Sequence, residues 1–156
     1  MHVHTPIQVR YGETDMMGVV YHANYLLYFE DSRLDYLNHL GFSYNERLEQ
    51  AGYMSPIYST EITYKSPLRY GEDAFVRTSV AKNLPMRTVI RQQIFRAEDD
   101  AGTDETGEPL LREGAKPLVD ATITLCVVER ETFKPVSLKR TFPDLYAQYD
   151  QLVEEE

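Results

Sequence analysis

Hydrophobic and polar residues alternate at the start of the chain. Ile7 and Val9 are set between Gln8 and Arg10, and this period of two predicts a half-buried strand over Thr5–Tyr11. Gly12-Glu13-Thr14-Asp15 breaks the strand with turn-forming residues, and Gly18 permits a second sharp change of direction. From Ala23 the period changes. Ala23, Leu26, Leu27, Leu34, Leu37 and Leu40 recur at helical spacing, which predicts a long amphipathic helix opening near His22 and stopping at Gly41. Glu30 falls on that stripe. An acid on a core-facing stripe needs a partner, such as Arg33 of its own helix, or a substrate contact.

Ser43–Gln50 reads as a short second helix, with Ser43 as N-cap and Glu46 completing a capping box. Strands are predicted over 55–64, 74–82 and 87–97, each rich in β-branched or aromatic residues and bounded by Pro or Gly. Asn83-Leu84-Pro85-Met86 is the expected hairpin connection between the last two. Residues 98–116 are charged, glycine-containing and without apolar periodicity, and read as a long, mobile, solvated hairpin loop. Their acids do not match a calcium loop. Leu118–Glu129 reads as a final strand, and Phe142-Pro143-Asp144 opens a short helix that runs into an acidic tail.

One long helix, one short helix and about five mostly antiparallel strands define an α+β class, with a sheet able to wrap the helix. No βαβ alternation and no internal repeat appears. The length of 156 residues suits a single domain over 1–156 with a real core.

Composition narrows the function. A formal net charge of −9 argues against nucleic acid as partner. A lone cysteine, Cys126, excludes an intrachain disulfide and fits a reducing cytoplasm. Its apolar surroundings mark it as a small buried strand residue. The sequence has no membrane-length apolar run and no signal-peptide pattern, so cytoplasmic residence without membrane contact is expected. His2 and His4 read as solvated terminal residues, and no metal is expected.

The candidate chemistry lies where strand gives way to helix. Asp15 sits in a tight loop leading to a helix N-terminus, whose free N–H groups favour an oxyanion. An Asx-turn or a helix cap would equally explain an Asp there.

The run Arg10-Tyr11-Gly12-Glu13-Thr14-Asp15-Met16-Met17-Gly18-Val19-Val20-Tyr21-His22-Ala23-Asn24-Tyr25 resembles the signature of hotdog-fold acyl-CoA thioesterases of the 4-hydroxybenzoyl-CoA thioesterase and YbgC-like branch. Gly41-Phe42-Ser43, Ile62-Thr63-Tyr64-Lys65-Ser66-Pro67 and Tyr70-Gly71-Glu72-Asp73 extend the likeness over most of the chain. The long acidic loop departs from it. The resemblance implies a hotdog fold, a five-stranded antiparallel sheet around a central helix. It also implies a homodimer or homotetramer with sites at the subunit interface, and hydrolysis of an acyl-CoA without any cofactor beyond the CoA of the substrate.

Carried over by position, Asp15 is the essential carboxylate, as nucleophile or general base, and the amide of His22 polarises the thioester carbonyl. Tyr21, Asn24, Tyr25 and Glu30 fall around the acyl group. Tyr21 and Tyr25, with Met16, Met17, Val19 and Phe29, are candidates to line it, although apolar residues beside a helix are commonly core. Asn24 is expected first as a helix cap and otherwise as a loop contact. Lys65, Arg69, Arg87 and Arg130, near predicted strand ends, are candidates for the CoA phosphates. The competing readings are a non-catalytic acyl-CoA binding module and a hotdog dehydratase or hydratase, the latter disfavoured by the lack of a His-Phe-Pro-type loop. A variant mechanism uses Glu30 as helix-borne base.

Overall fold

A computed structural model describes residues 1–154. The strands are β1 (Val3–Gln8), β2 (Tyr53–Met54), β3 (Ile57–Tyr64), β4 (Asp73–Leu84), β5 (Arg87–Arg96), β6 (Asp100–Thr103), β7 (Pro109–Leu111), β8 (Val119–Leu125), β9 (Val127–Glu129) and β10 (Pro135–Val136). The α-helices are α1 (Tyr25–His39), α2 (Leu138–Thr141) and α3 (Pro143–Gln151). Five strands form one sheet in the order β1-β4-β5-β8-β3, antiparallel at every junction. Helix α1 packs across β1 and β4. This is the expected α+β arrangement.

The face of α1 that enters the core is not the leucine stripe. Tyr25, Tyr28, Phe29, Ser32 and Tyr36 are buried, whereas Leu26, Leu27 and Leu34 are 39–47 % exposed and Glu30 lies on the exposed side with them. The reason is chemical. Aromatic rings bring more apolar area to the sheet than leucines do, provided their hydroxyls find partners. Tyr28 Oη donates to Glu13 at 2.5 Å, and Leu68 N donates to Tyr25 Oη at 3.3 Å. No ion pair joins Glu30 to Arg33 among the described residues. Arg33 Nη1 donates instead to Gln92 Oε1 on β5 at 3.0 Å. Gln92 Nε2 donates to the Phe29 carbonyl at 2.9 Å and to Ser32 Oγ at 2.6 Å, a fully buried polar link that sets α1 on the sheet.

Phe29 is 0 % exposed at the centre of the cluster formed with Val76, Ile94, Val119 and Ile123. Phe29→Ala is expected to destabilise the fold by about 3–5 kcal/mol. Chemical denaturation reads this as a lower midpoint with an unchanged slope.

Other expectations are adjusted as well. The last strand breaks at Cys126, because β9 leaves the main sheet to pair with β2 and β10. Cys126 is accordingly half-buried in a strand break, and burial pushes its thiol up from the usual range. Within 98–116 the chain forms an antiparallel hairpin of β6 and β7. His2 is not a solvated end: its ring lies 2.6 Å from carboxylate oxygens of both Glu108 and Glu154. His4 stacks on Phe75 with ring centroids 4.3 Å apart. The short helix is a π-helical stretch, Tyr44–Glu49, capped by Ser43 Oγ accepting from Glu46 N at 3.3 Å.

Candidate active site

Beyond β1 the chain makes a 3-10 turn, Tyr11–Glu13, then closes a loop on itself before entering α1 through a second 3-10 turn, His22–Asn24. An antiparallel bridge joins Thr14 to Val20, and Asp15 N donates to the Val19 carbonyl at 3.0 Å. The reversal needs the left-handed backbone of Gly18, whose φ is 74°. Met17 N donates to Asp15 Oδ1 at 2.8 Å, the Asx-turn contact, and Gly18 N donates to the Asp15 carbonyl at 2.9 Å. The turn fixes the carboxylate by one oxygen. The other has no hydrogen-bond partner among the described residues, and Asp15 is half-buried.

At the helix start the N–H groups of His22 and Ala23 have no acceptor among the described residues, as the geometry of a helix N-terminus dictates. The His22 carbonyl is held by Tyr64 Oη, which donates to it at 2.9 Å from the end of β3. The His22 ring is exposed, 4.3 Å from the Tyr21 ring between centroids. Asn24 does not cap the helix. Its Nδ2 donates to the Glu13 carbonyl at 2.9 Å, so it orders the loop, because the approach through a 3-10 turn leaves Asn24 already helical. Tyr25 is 3 % exposed in the core. Tyr21 is 44 % exposed, and Met16 and Met17 stand almost wholly in solvent.

The cationic candidates do not converge within one copy. Lys65 follows the Tyr64 end of β3 and lies 3.7 Å from Asp120, and Arg69 follows it on an exposed turn. Arg87 sits over the Tyr58 ring at 3.6 Å, at the Ile57 end of the sheet, where Thr88 and Ile57 both pair with Leu125. Arg130 is also away from Asp15, its N–H donating to the Gly52 carbonyl at 2.9 Å.

That second end holds a cavity of about 360 Å³, lined by Glu30, Leu34, Leu37, Ile57, Arg87 and Leu125 among others. Asp15 and His22 are not in its wall. The described residues hold no cluster of three or more His, Cys, Asp or Glu suited to a metal. None of their helices is long and apolar enough to cross a membrane.

Sequence reasoning passed over Glu13, Tyr28 and Tyr64. The first left a trace, an acid three residues after Arg10 in a turn. Its partner Tyr28 lies fifteen residues on and Tyr64 on another element, and no local pattern reports such contacts.

A five-stranded antiparallel sheet against one long helix, with a carboxylate loop feeding the helix start, is the architecture of hotdog thioesterases. Residues 9–139 match the thioesterase-like superfamily, and the chain belongs to that family as a thioester hydrolase with a hotdog fold. Among individual relatives, the Bacillus subtilis protein YneP, named provisionally as an acyl-CoA thioesterase, is 36 % identical over 145 residues, 93 % of each chain. The crystal structure of DHNA-CoA thioesterase from Staphylococcus aureus is 36 % identical, with a TM-score of 0.80 over 96 % of this chain and 89 % of that one. Slr0204 of Synechocystis, a 1,4-dihydroxy-2-naphthoyl-CoA thioesterase, shares the fold at 17 % identity, with a TM-score of 0.73 over 96 % of this chain and 98 % of that one.

Proposed function

We propose that the chain hydrolyses acyl-CoA thioesters to a free carboxylic acid and CoA, with Asp15 as the reacting carboxylate. One observation carries this reading. Asp15 is held by a single oxygen in a closed loop that leads to the helix start, and among the described residues neither its second oxygen nor the His22 and Ala23 N–H groups have a hydrogen-bond partner. The thioester carbonyl oxygen accepts from the His22 N–H, where the helix start stabilises charge as it builds. Asp15 then either adds to the carbonyl, releasing CoA thiolate and leaving a mixed anhydride for water to open, or takes a proton from the attacking water. The balance is the same on both routes: thioester and water become acid and thiol. No cofactor takes part.

The functional unit in this reading is a homodimer. β3 is a sheet edge with Ile57, Tyr58 and Tyr64 44–56 % exposed, and Ile57 shares the wall of the cavity with the exposed Leu34 of α1. An edge strand next to an apolar face is a surface that pairs with another chain. A two-fold axis through the middle of β3 sets Ile57 of one copy opposite Tyr64 of the other. Asp15, Lys65 and Arg69 of one subunit then face the partner's Arg87 and the partner's cavity, uniting cations that one copy keeps apart.

The test is CoA release, followed with a thiol reagent, over acetyl-, hexanoyl-, palmitoyl- and benzoyl-CoA. Turnover of at least one above the buffer rate is expected. Binding of these thioesters with no turnover would replace the proposal with a binding module.

A further inference from the structure

Among the described residues, Glu13 is the only Asp, Glu, His, Lys or Arg that is buried, at 6 % exposure, and the hydrolytic chemistry proposed above does not use it. Its carboxylate takes three hydrogen bonds. Arg10 N donates to Oε2 at 2.9 Å, Arg10 Nε to Oε1 at 2.7 Å, and Tyr28 Oη to Oε2 at 2.5 Å. Its carbonyl takes two more, from Tyr21 N at 2.9 Å and from Asn24 Nδ2 at 2.9 Å. These donors come from the exit of β1, from both sides of His22, and from the first turn of α1.

We infer that Glu13 is a positioning residue, one that sets the loop carrying Asp15 against the helix start carrying the His22 amide. The inference rests on the hydrolytic reading of that site. Glu13 lies two residues before Asp15, and its carbonyl is gripped by Tyr21 and Asn24, one residue before and two residues after His22. A displacement of Glu13 therefore moves nucleophile or base and oxyanion donor relative to each other.

The energetics favour geometry over stability as its purpose. Burying a carboxylate is costly, and the hydrogen bonds that satisfy it roughly repay the cost, so an apolar residue would serve folding as well. What an apolar residue cannot do is define the loop's direction through three aimed hydrogen bonds. Burial opposes ionisation of Glu13, yet the Tyr28 hydroxyl, the Arg10 amide and the Arg10 guanidinium together hold its carboxyl below the ordinary range. It is thus an anion throughout neutral pH, and Tyr28, pushed up by burial and by Glu13 itself, is its neutral donor.

The test uses the full chain and the acyl-CoA of the panel that the wild type hydrolyses fastest. Glu13→Gln keeps the shape but leaves two acceptor oxygens replaced by one. Its kcat is expected to fall about 10–100-fold, the usual cost of a small misplacement of reacting groups. KM is expected to stay within about threefold, because Glu13 touches no substrate. Tyr28→Phe, which deletes one hydrogen bond and keeps the buried ring, lowers kcat about 3–10-fold. The double variant behaves as Glu13→Gln alone, since both act through one contact.

A purely structural Glu13 would lower the melting temperature and leave kcat per folded molecule within twofold, and that result overturns the inference. Where Glu13→Gln does not fold, Tyr28→Phe decides by the same criterion. Asp15→Asn separates the two levels. If it retains full turnover, the hydrolytic reading fails. If it abolishes turnover while Glu13→Gln does not lower it, only the role of Glu13 falls.

Discussion

Asp15→Asn lowers kcat for acyl-CoA hydrolysis by about 10²–10⁴-fold, the range for loss of a positioned acid–base group. The substitution is unusually clean here. In the wild type, Asp15 Oδ1 accepts from Met17 N at 2.8 Å, and an asparagine side-chain oxygen can accept the same bond. The loop closure between Thr14 and Val20 and the left-handed turn at Gly18 use backbone alone. What disappears is the negative charge and basicity of the oxygen that has no hydrogen-bond partner among the described residues. Binding of a CoA thioester should therefore survive, with KM within a few-fold and an unchanged thermal melt. Asp15→Ala additionally breaks the Asx-turn and is expected to be no more active and slightly less stable. Steady-state kinetics with thiol detection check the rate, and a thermal scan checks the fold. Full activity in Asp15→Asn, together with an inactive Glu30→Gln, would transfer the chemistry to α1. Glu30 lies on the exposed side of that helix and lines the cavity that Asp15 of the other copy faces in the proposed dimer, so the pair of substitutions is needed to tell the two acids apart.

The clarity of Asp15 in the sequence and the obscurity of Glu13 have one physical origin. Asp15 announces itself through local chain geometry: a strand period that stops, turn residues, a glycine and a helical period that begins. Glu13 has meaning only once Tyr28, Tyr21 and Asn24 surround it, and those contacts exist only in the folded chain. The same distinction explains the helix. That α1 exists, and nearly where it runs, follows from spacing and Gly41. Which face it buries does not, because a tyrosine reads as polar until its hydroxyl is satisfied, and the rings of Tyr25, Tyr28 and Tyr36 outcompete the leucines for the sheet. β8 and β9 read as one strand because both are rich in β-branched residues. The break at Cys126 is imposed by pairing with β2 and β10, which is non-local. The cations do lie near strand ends, but β3 and β5 both run antiparallel to β8 and so share a direction, and Lys65 follows the end of β3 whereas Arg87 opens β5. Lys65 and Arg87 are therefore separated in one copy.

That separation, and the leucines left outside, give the second large effect. Leu27→Glu combined with Leu34→Glu is expected to convert a dimer into monomers and to reduce turnover by more than about 100-fold. Leu27 is 47 % and Leu34 39 % exposed in the single copy, so their replacement is not a core lesion. Surface changes of that kind normally shift monomer stability by no more than about 0.5 kcal/mol. In a dimer closed through β3 and α1, each leucine can bury only the 39–47 % of its surface still exposed, roughly 0.6–1.4 kcal/mol, so the four in a symmetric pair contribute about 2.5–5 kcal/mol. Their loss alone is about two to four decades of dissociation constant at about 1.4 kcal/mol per decade, and four added carboxylates weaken the pairing further. Light scattering coupled to gel filtration reads the mass, and the thiol assay reads turnover on the same fractions. A folded, monomeric and inactive variant supports a site built from two copies, with Asp15 of one subunit facing the cavity and the Arg87 of the other. A variant that remains dimeric and active places the interface elsewhere. A monomer with full activity shows that one copy completes the site, and the exposed leucines then serve assembly alone.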